Sequence, residues 1–281
     1  MRAWIEQGAE YEPHWSFVAQ VRPTVPPGAS HPVDAFVRAK LAEHGLEPSA
    51  KAPAELQLRR LFLTLTGLPP EPADVAAFVA DPADAHYERF VDRLLHEEPY
   101  RSRYAERMAV PWLDGARYAD TSGIHMDAGR QIWPYRDWVL RAFRDGMPFD
   151  RFATEQLCGD LLDGATQDQK IATGFHRCHV TTDEGGAIDE EYLVEYAVDR
   201  VATTGSVFLG LTLGCARCHD HKYDPIPQEE FFGLYAYFRS IDEPGLYSQV
   251  PDSNRALEPF LRVPSPAQQQ EEAKLQQDLA R

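Results

Sequence analysis

The sequence predicts an all-α fold, an irregular multi-helix domain with long loops and little or no sheet. Apolar residues recur at helical spacing in one segment after another, as in Leu56, Leu58, Leu61, Phe62 and Leu65. β-branched alternation is scarce, so no run reads as a strand. Helix stop signals, such as Gly45 and Gly67-Leu-Pro-Pro, follow the periodic segments.

Residues 1–30 read as the tail of a preceding domain plus a Pro-rich linker, because Pro23, Pro26, Pro27 and Gly28 leave no hydrophobic period. A helical domain is expected over residues 31–247. Its first helix spans 34–46, with Phe36, Val37 and Leu41 apolar. The next, over 54–65, is strongly amphipathic. Further helices are expected over 72–80, 87–95, 101–117, 135–144, 149–158, 190–209 and 228–238. Residues 248–281 form a linker without period and then the start of an exposed, Gln- and Glu-rich helix. The two chain ends should therefore pack only peripherally.

A chain of 281 residues can bury a core without disulfides. The net charge of −16 argues against nucleic acid and anionic membranes as partners. An acidic surface confers solubility, and it also suits basic partners or divalent cations. No stretch approaches the roughly 18 apolar residues of a transmembrane helix. Four cysteines are too few for a disulfide scaffold, and Cys158 and Cys178 read as small buried residues. There is no P-loop, no G-x-S-x-G and no H-E-x-x-H.

Cys215-Ala-Arg-Cys218-His219 carries the chemistry. C-x-x-C-H is the spacing by which haem c is attached: two thiols add to the two vinyl groups of a porphyrin, and the histidine becomes the proximal iron ligand. With 4 Cys and 10 His, shuffled order gives this pentapeptide on the order of once in five hundred chains. Two alternatives use the same residues. One is a zinc or other non-haem metal site, with Cys215, Cys218, His219 and His221 as ligands. The other is a structural or redox cysteine pair. Gly210 and Gly214 let the backbone approach a flat cofactor, and equally mark a turn. At i, i+2, His221 points away from His219 and suits a propionate hydrogen bond, a cap or a plain surface position. Sixth-ligand candidates are His125 and Met126 in the loop 121–127, and His176 and His179 beside an acidic loop.

That acidic loop contains Asp183 and Glu184, followed by Glu191, Glu195 and Asp199 at i, i+4, i+8 on one helix face. Like charges in line repel by about a few tenths of a kcal/mol per pair, so Arg200, Arg217 or a bound Ca²⁺ is expected to compensate. The face reads as solvated, or as a Ca²⁺ or sugar site that includes Asp120, which would make the chain a non-haem metal- or carbohydrate-binding module or a hydrolase-like domain. Aromatics alternate with Arg and Asp from Arg117 to Asp120 and from Trp133 to Trp138, as pocket walls or as an aromatic core with ion pairs. Arg117, Asp120, His125, His179, Asp183, Glu184, Arg217, His219 and His221 are expected to share one cleft roughly 10–15 Å across.

The run from Gly210 to Phe238 resembles a known family. So do Leu65-Thr-Gly-Leu-Pro-Pro, Ala116-Arg-Tyr-Ala-Asp, Tyr135-Arg-Asp-Trp and Ile171-Ala-Thr-Gly-Phe-His. These segments are similar to the second cytochrome c-like domain of the large planctomycete surface cytochromes, a domain of unknown function, over about residues 31–247. The tail at Trp4-Ile-Glu-Gln is similar to the end of the preceding cytochrome c domain, and the Gln-rich C-terminus resembles a linker. The resemblance implies haem on Cys215, Cys218 and His219. It implies no reaction and no sixth ligand, and it gives Cys158 no role. Electron transfer to a neighbouring cytochrome or oxidoreductase domain of the same polypeptide is expected, with carbohydrate as a possible substrate of the whole. Haem c is attached outside the cytoplasm, so a periplasmic or cell-surface location is expected. Met1-Arg-Ala-Trp has no signal-peptide pattern, which suggests a piece of a longer secreted protein.

Overall fold

The computed structural model describes the chain except residues 11, 13, 126, 248–255, 257, 280 and 281. Among the described residues there are twelve α-helices and no strand. The chain divides into two compact units, residues 1–53 and 54–281. The boundary expected near residue 30 falls inside the first of them.

The first unit holds α1 (Arg2–Glu6) and α2 (Pro32–Glu43). Pro32 opens α2, where a missing N–H costs nothing, and the His31 ring accepts from the Val33 N–H. Only Ala35 is buried along α2, and none of the described residues of 1–30 is buried.

The second unit is built on three adjoining cores. The first is made by α3 (Ala54–Thr66), α4 (Pro72–Ala80) and α5 (Asp84–His96), which bury Leu58, Leu61, Phe62, Phe78, Phe90 and Leu94. Fully burying each such side chain contributes about 1.5–3 kcal/mol. The amphipathic stripe of α3 makes this core because its leucines recur on one face. Next comes α6 (Tyr100–Gly115), which packs against α3 and α5 on one side and α7 (Trp133–Arg144) on the other. The second core joins α6 and α7 to α8 (Phe149–Cys158) and α9 (Gln167–Ala172) around Tyr135, Trp138, Phe152 and Phe175. Buried Gln156 is satisfied there, since its Oε1 accepts from Tyr135 Oη at 2.7 Å and Trp112 Nε1 at 2.9 Å. The aromatic-and-arginine segments thus contribute mainly core, with Tyr118 donating to Asp120 at 2.6 Å and Arg136 pairing with Asp137 at the edge.

The third core lies between α10 (Asp189–Thr204) and α11 (Gln228–Arg239) and contains Ala197, Val201, Leu213, Ala216, Phe231 and Phe238. α10 does not stop cleanly. Its last residues widen into a π-turn over Gly205–Leu209, closed by Gly210 at φ 65°, a left-handed conformation that suits glycine. α12 (Pro266–Leu279) buries nothing, as its polar composition requires. Where the expected helices fall on described residues, each is present within a few residues of its expected ends. The two unexpected α-helices are α1 and α9.

Three isolated backbone pairings tie distant loops together: Thr121 with Gly129, Gly123 with Thr181, and Thr182 with Leu246. They bring the loop 121–130, the segment 178–183 and the segment 243–247 side by side at the N-terminal end of α10.

Candidate functional site

The C-x-x-C-H segment forms a short 3₁₀ turn, Gly214–Arg217, leading into an irregular loop. The residues between the cysteines hold it in place. Ala216 is fully buried in the α10–α11 core. Arg217 donates to both carboxylate oxygens of Glu195 on α10, at 3.0 and 2.6 Å, and its carbonyl accepts from Gln228 Nε2 at 3.0 Å. Cys215, Cys218 and His219, by contrast, are all exposed, and both thiols are free. The interior positions of the motif are anchors, and the three chemically competent ones face solvent.

The loop after the motif is stapled by its own polar residues. Asp220 accepts from the first amide of α11, Gln228 N–H, at 2.8 Å, a favourable place for negative charge. The His221 ring accepts from Asp224 N–H at 2.9 Å, while its own backbone N–H donates to Ile226. His221 therefore works as a turn clamp, its Nδ1 committed to the backbone. His219 Nδ1 lies 2.7 Å from the Asp220 carbonyl. A proton on Nδ1 makes that hydrogen bond and leaves Nε2 as an outward-facing acceptor, the orientation that second-shell carbonyls give to metal-binding histidines.

The row on α10 is compensated from the protein itself. Glu195 pairs with Arg217, and Asp199 pairs with Arg117, while Glu191 is exposed. Arg200, expected among the compensating cations, turns the other way. One residue past Asp199 is about 100° around the helix, and this rotation carries Arg200 into the interior.

There it anchors a buried network that the sequence did not announce. Arg200 is 1% exposed. It donates to the His176 carbonyl at 2.9 Å, to His179 Nε2 at 2.7 Å, and to both oxygens of Glu243, one of them at 2.8 Å. Arg177 reaches the same carboxylate at 3.1 Å. Arg130, also buried, donates to the carbonyls of Cys178 and His179 at 3.1 and 2.7 Å.

The expected single cleft is thus divided. His179 lies in the buried network, with Nδ1 donating to the Val180 carbonyl at 2.9 Å and Nε2 accepting from Arg200, so neither ring nitrogen is open to a metal. His125 is exposed in the loop 121–130 at φ 57°. Met126 lies outside the described residues. Asp183 is buried near that loop, Glu184 and Asp120 are at its surface, and His219 sits at the α10–α11 end. No group of three or more His, Cys, Asp or Glu side chains among the described residues converges as metal ligands would. Arg217 bonds to Glu195, and Arg200 bonds to His179 and Glu243, so these cations find partners in separate clusters.

A family model named PSCyt2, described as "Protein of unknown function (DUF1549)", matches residues 32–243. The chain belongs to the PSCyt2 family. No curated protein and no solved structure matches it. The PSCyt2 match takes in the C-x-x-C-H turn, α10, α11 and Glu243, so it spans both the exposed motif and the buried network. No helix of the described residues is long and apolar enough to cross a membrane.

Electrostatics within the network make a pH dependence. Burial pushes His176 and His179 down to about 4, with Arg200 pushing the same way. For Glu243, burial raises the carboxyl, but the hydrogen bonds and charge of Arg200 outweigh it and bring it down to about 2. In the unfolded chain the histidines protonate near 6.5, so as pH falls through the window from 6.5 to 4 the unfolded state takes up protons first. Folding stability is therefore full above that window and declines through it, by on the order of 1–2 kcal/mol per histidine at pH 5. Glu243 adds a further loss from 4.5 towards 2. Denaturant midpoints at pH 7 and 5 should differ clearly for the wild type and less for His176→Asn. Equal slopes in the two proteins would refute the assignment.

Proposed function

We propose that this PSCyt2 domain is an extracytoplasmic c-type cytochrome domain. Cys215 and Cys218 would hold the haem through thioether bonds, and His219 would ligate its iron. The observation that carries the reading is the division of labour in the motif: Ala216 and Arg217 fasten the turn, while two free thiols and an open His219 Nε2 face outward. The donor set fits the group, since two accessible thiols on one turn and a histidine oriented by a carbonyl are what attachment requires. A closed structural zinc site would need four converging ligands, and His221 is committed to its own turn.

When bound, haem supplies reversible one-electron transfer. The chain's own residues fix the attachment turn to α10 and α11, orient the His219 ring and keep the motif at the surface. A surface position suits exchange with a neighbouring cytochrome or oxidoreductase domain of the same polypeptide, including one that oxidises a carbohydrate. His179, with both nitrogens bonded, does not serve as the sixth ligand.

The test is maturation with a periplasmic haem-attachment system. Wild-type protein should gain one haem mass, stain for haem on a denaturing gel and show a Soret band with a sharp reduced α-band. Cys215→Ala with Cys218→Ala should lose all three signals while keeping its helical circular dichroism. A colourless wild type with two titratable thiols at these positions after such maturation overturns the reading.

A further inference from the structure

A small cavity of about 10 Å³ lies where the loop 121–130 meets residues 181–183 and Tyr247. This is room for about one water-sized sphere. The backbone pairings of Gly123 with Thr181 and of Thr182 with Leu246 build its walls. Their hydrogen bonds run from Thr181 N–H to the Ser122 carbonyl at 3.0 Å and from Tyr247 N–H to the Thr182 carbonyl at 3.1 Å, and Ser122 N–H donates to the Ala128 carbonyl at 2.8 Å.

Two side chains at this cavity are left unsatisfied. Asp183 is 4% and Ser122 6% exposed, and neither Asp183 Oδ1 nor Ser122 Oγ has a hydrogen-bond partner. A buried carboxylate oxygen left without a donor is unfavourable. The neighbouring guanidinium groups are engaged elsewhere: Arg130 on the carbonyls of Ala119, Cys178 and His179, and Arg200 on His176, His179 and Glu243. A guest in the cavity would supply the missing partner. A water molecule would satisfy Ser122 Oγ but would bring no positive charge.

The polar lining offers oxygen, from the Asp183 carboxylate, the hydroxyls of Ser122, Thr181 and Thr182, and backbone carbonyls with a second lone pair free. Hard cations select such donors. Mg²⁺ keeps several waters in strict octahedral order, for which there is no room, whereas Ca²⁺ tolerates irregular oxygen cages. We propose that this cavity binds a calcium ion, with Asp183 as its charged ligand and Ser122 as a neutral one. A single carboxylate puts the site in the weak, roughly millimolar class. The site is independent of haem at Cys215 and Cys218.

The full chain, stripped with EDTA, would be titrated with Ca²⁺ while the thermal midpoint is followed, and with Tb³⁺ while its sensitised luminescence is followed. Ca²⁺ should raise the midpoint saturably and quench the Tb³⁺ signal. Asp183→Asn should weaken both responses at least about tenfold, the effect expected from losing the charged ligand. Glu88→Gln, on the exposed surface of α5, should leave them unchanged. A midpoint equal in Ca²⁺ and EDTA, an equal effect of Na⁺, or a Ca²⁺ response surviving Asp183→Asn overturns the proposal. Should Asp183→Asn fail to fold, Ser122→Ala decides: a weaker Ca²⁺ response supports the site, and an unchanged one overturns it.

Discussion

Glu243→Gln is expected to cost about 3–5 kcal/mol of folding stability, the range for removing one partner of a buried ion pair. The substitution keeps the shape of the side chain and deletes only its charge. Arg200 would then remain buried, with the His176 carbonyl and neutral His179 as its chief partners. Arg177 would also lose the carboxylate it reaches at 3.1 Å. Denaturant unfolding at pH 7 measures the loss. A second readout separates this account from a general packing defect: the acid-side decline between 4.5 and 2, which belongs to the depressed Glu243 carboxyl, should disappear from the variant's stability profile. A loss under about 1 kcal/mol, within the range of exposed pairs, would show that the network is solvated and not structural.

Gly245→Ala should be comparably damaging for a steric reason. A Cβ at this position would overlap the backbone carbonyl of Asp189, standing 2.8 Å from its carbon atom. The two segments approach this closely because Asp189 Oδ1 accepts from the amides of Gly245 and Leu246, both at 3.0 Å, while Tyr196 donates to the Gly245 carbonyl at 2.8 Å. Backbone has to move to admit the methyl group, and these bonds break with it, which places the cost at about 3 kcal/mol or more. Gly233→Ala is the matching control. That glycine lies inside α11, and an alanine methyl group there would have nothing within 4 Å, so the substitution should gain about 0.5–1 kcal/mol through helix propensity. Thermal midpoints moving in the same direction for the two variants would contradict the close approach.

The helices are legible in the sequence because each apolar stripe is a local property of roughly ten to fifteen neighbouring residues. α3 shows this best, with Leu58, Leu61, Phe62 and Leu65 on one face and a glycine-proline stop, although Leu56, expected with them, lies on the opposite, exposed side. α9 is only six residues long, too short to show a period, although Thr166 and Gln169 form the reciprocal capping pair that marks a helix start. The C-x-x-C-H turn is legible from spacing alone. Its anchoring is partly so: Arg217 is expected to meet the acidic face of α10, and it does.

The buried network is not legible. Arg200 and Glu243 are 43 positions apart, and neither belongs to a motif. Arg200 even looks like part of the surface row, since adjacency to Asp199 in sequence hides a turn of about 100° in space. His179 reads as a candidate ligand because a histidine beside acidic residues has that look. The loop pairings that bury it are single bridges without strand alternation, and they leave no pattern to read. The expectation of one shared cleft fails for the same reason: charge composition shows which groups need partners but not which distant segment supplies them.

The way the C-x-x-C-H turn is fastened bears on how its cysteines can be reached. Ala216 is sealed in the α10–α11 core and Arg217 is clamped to Glu195, while Cys215 and Cys218 are exposed on the same turn. On the proposed reading, the three residues that would take haem lie where a modifying enzyme could reach them in the folded domain.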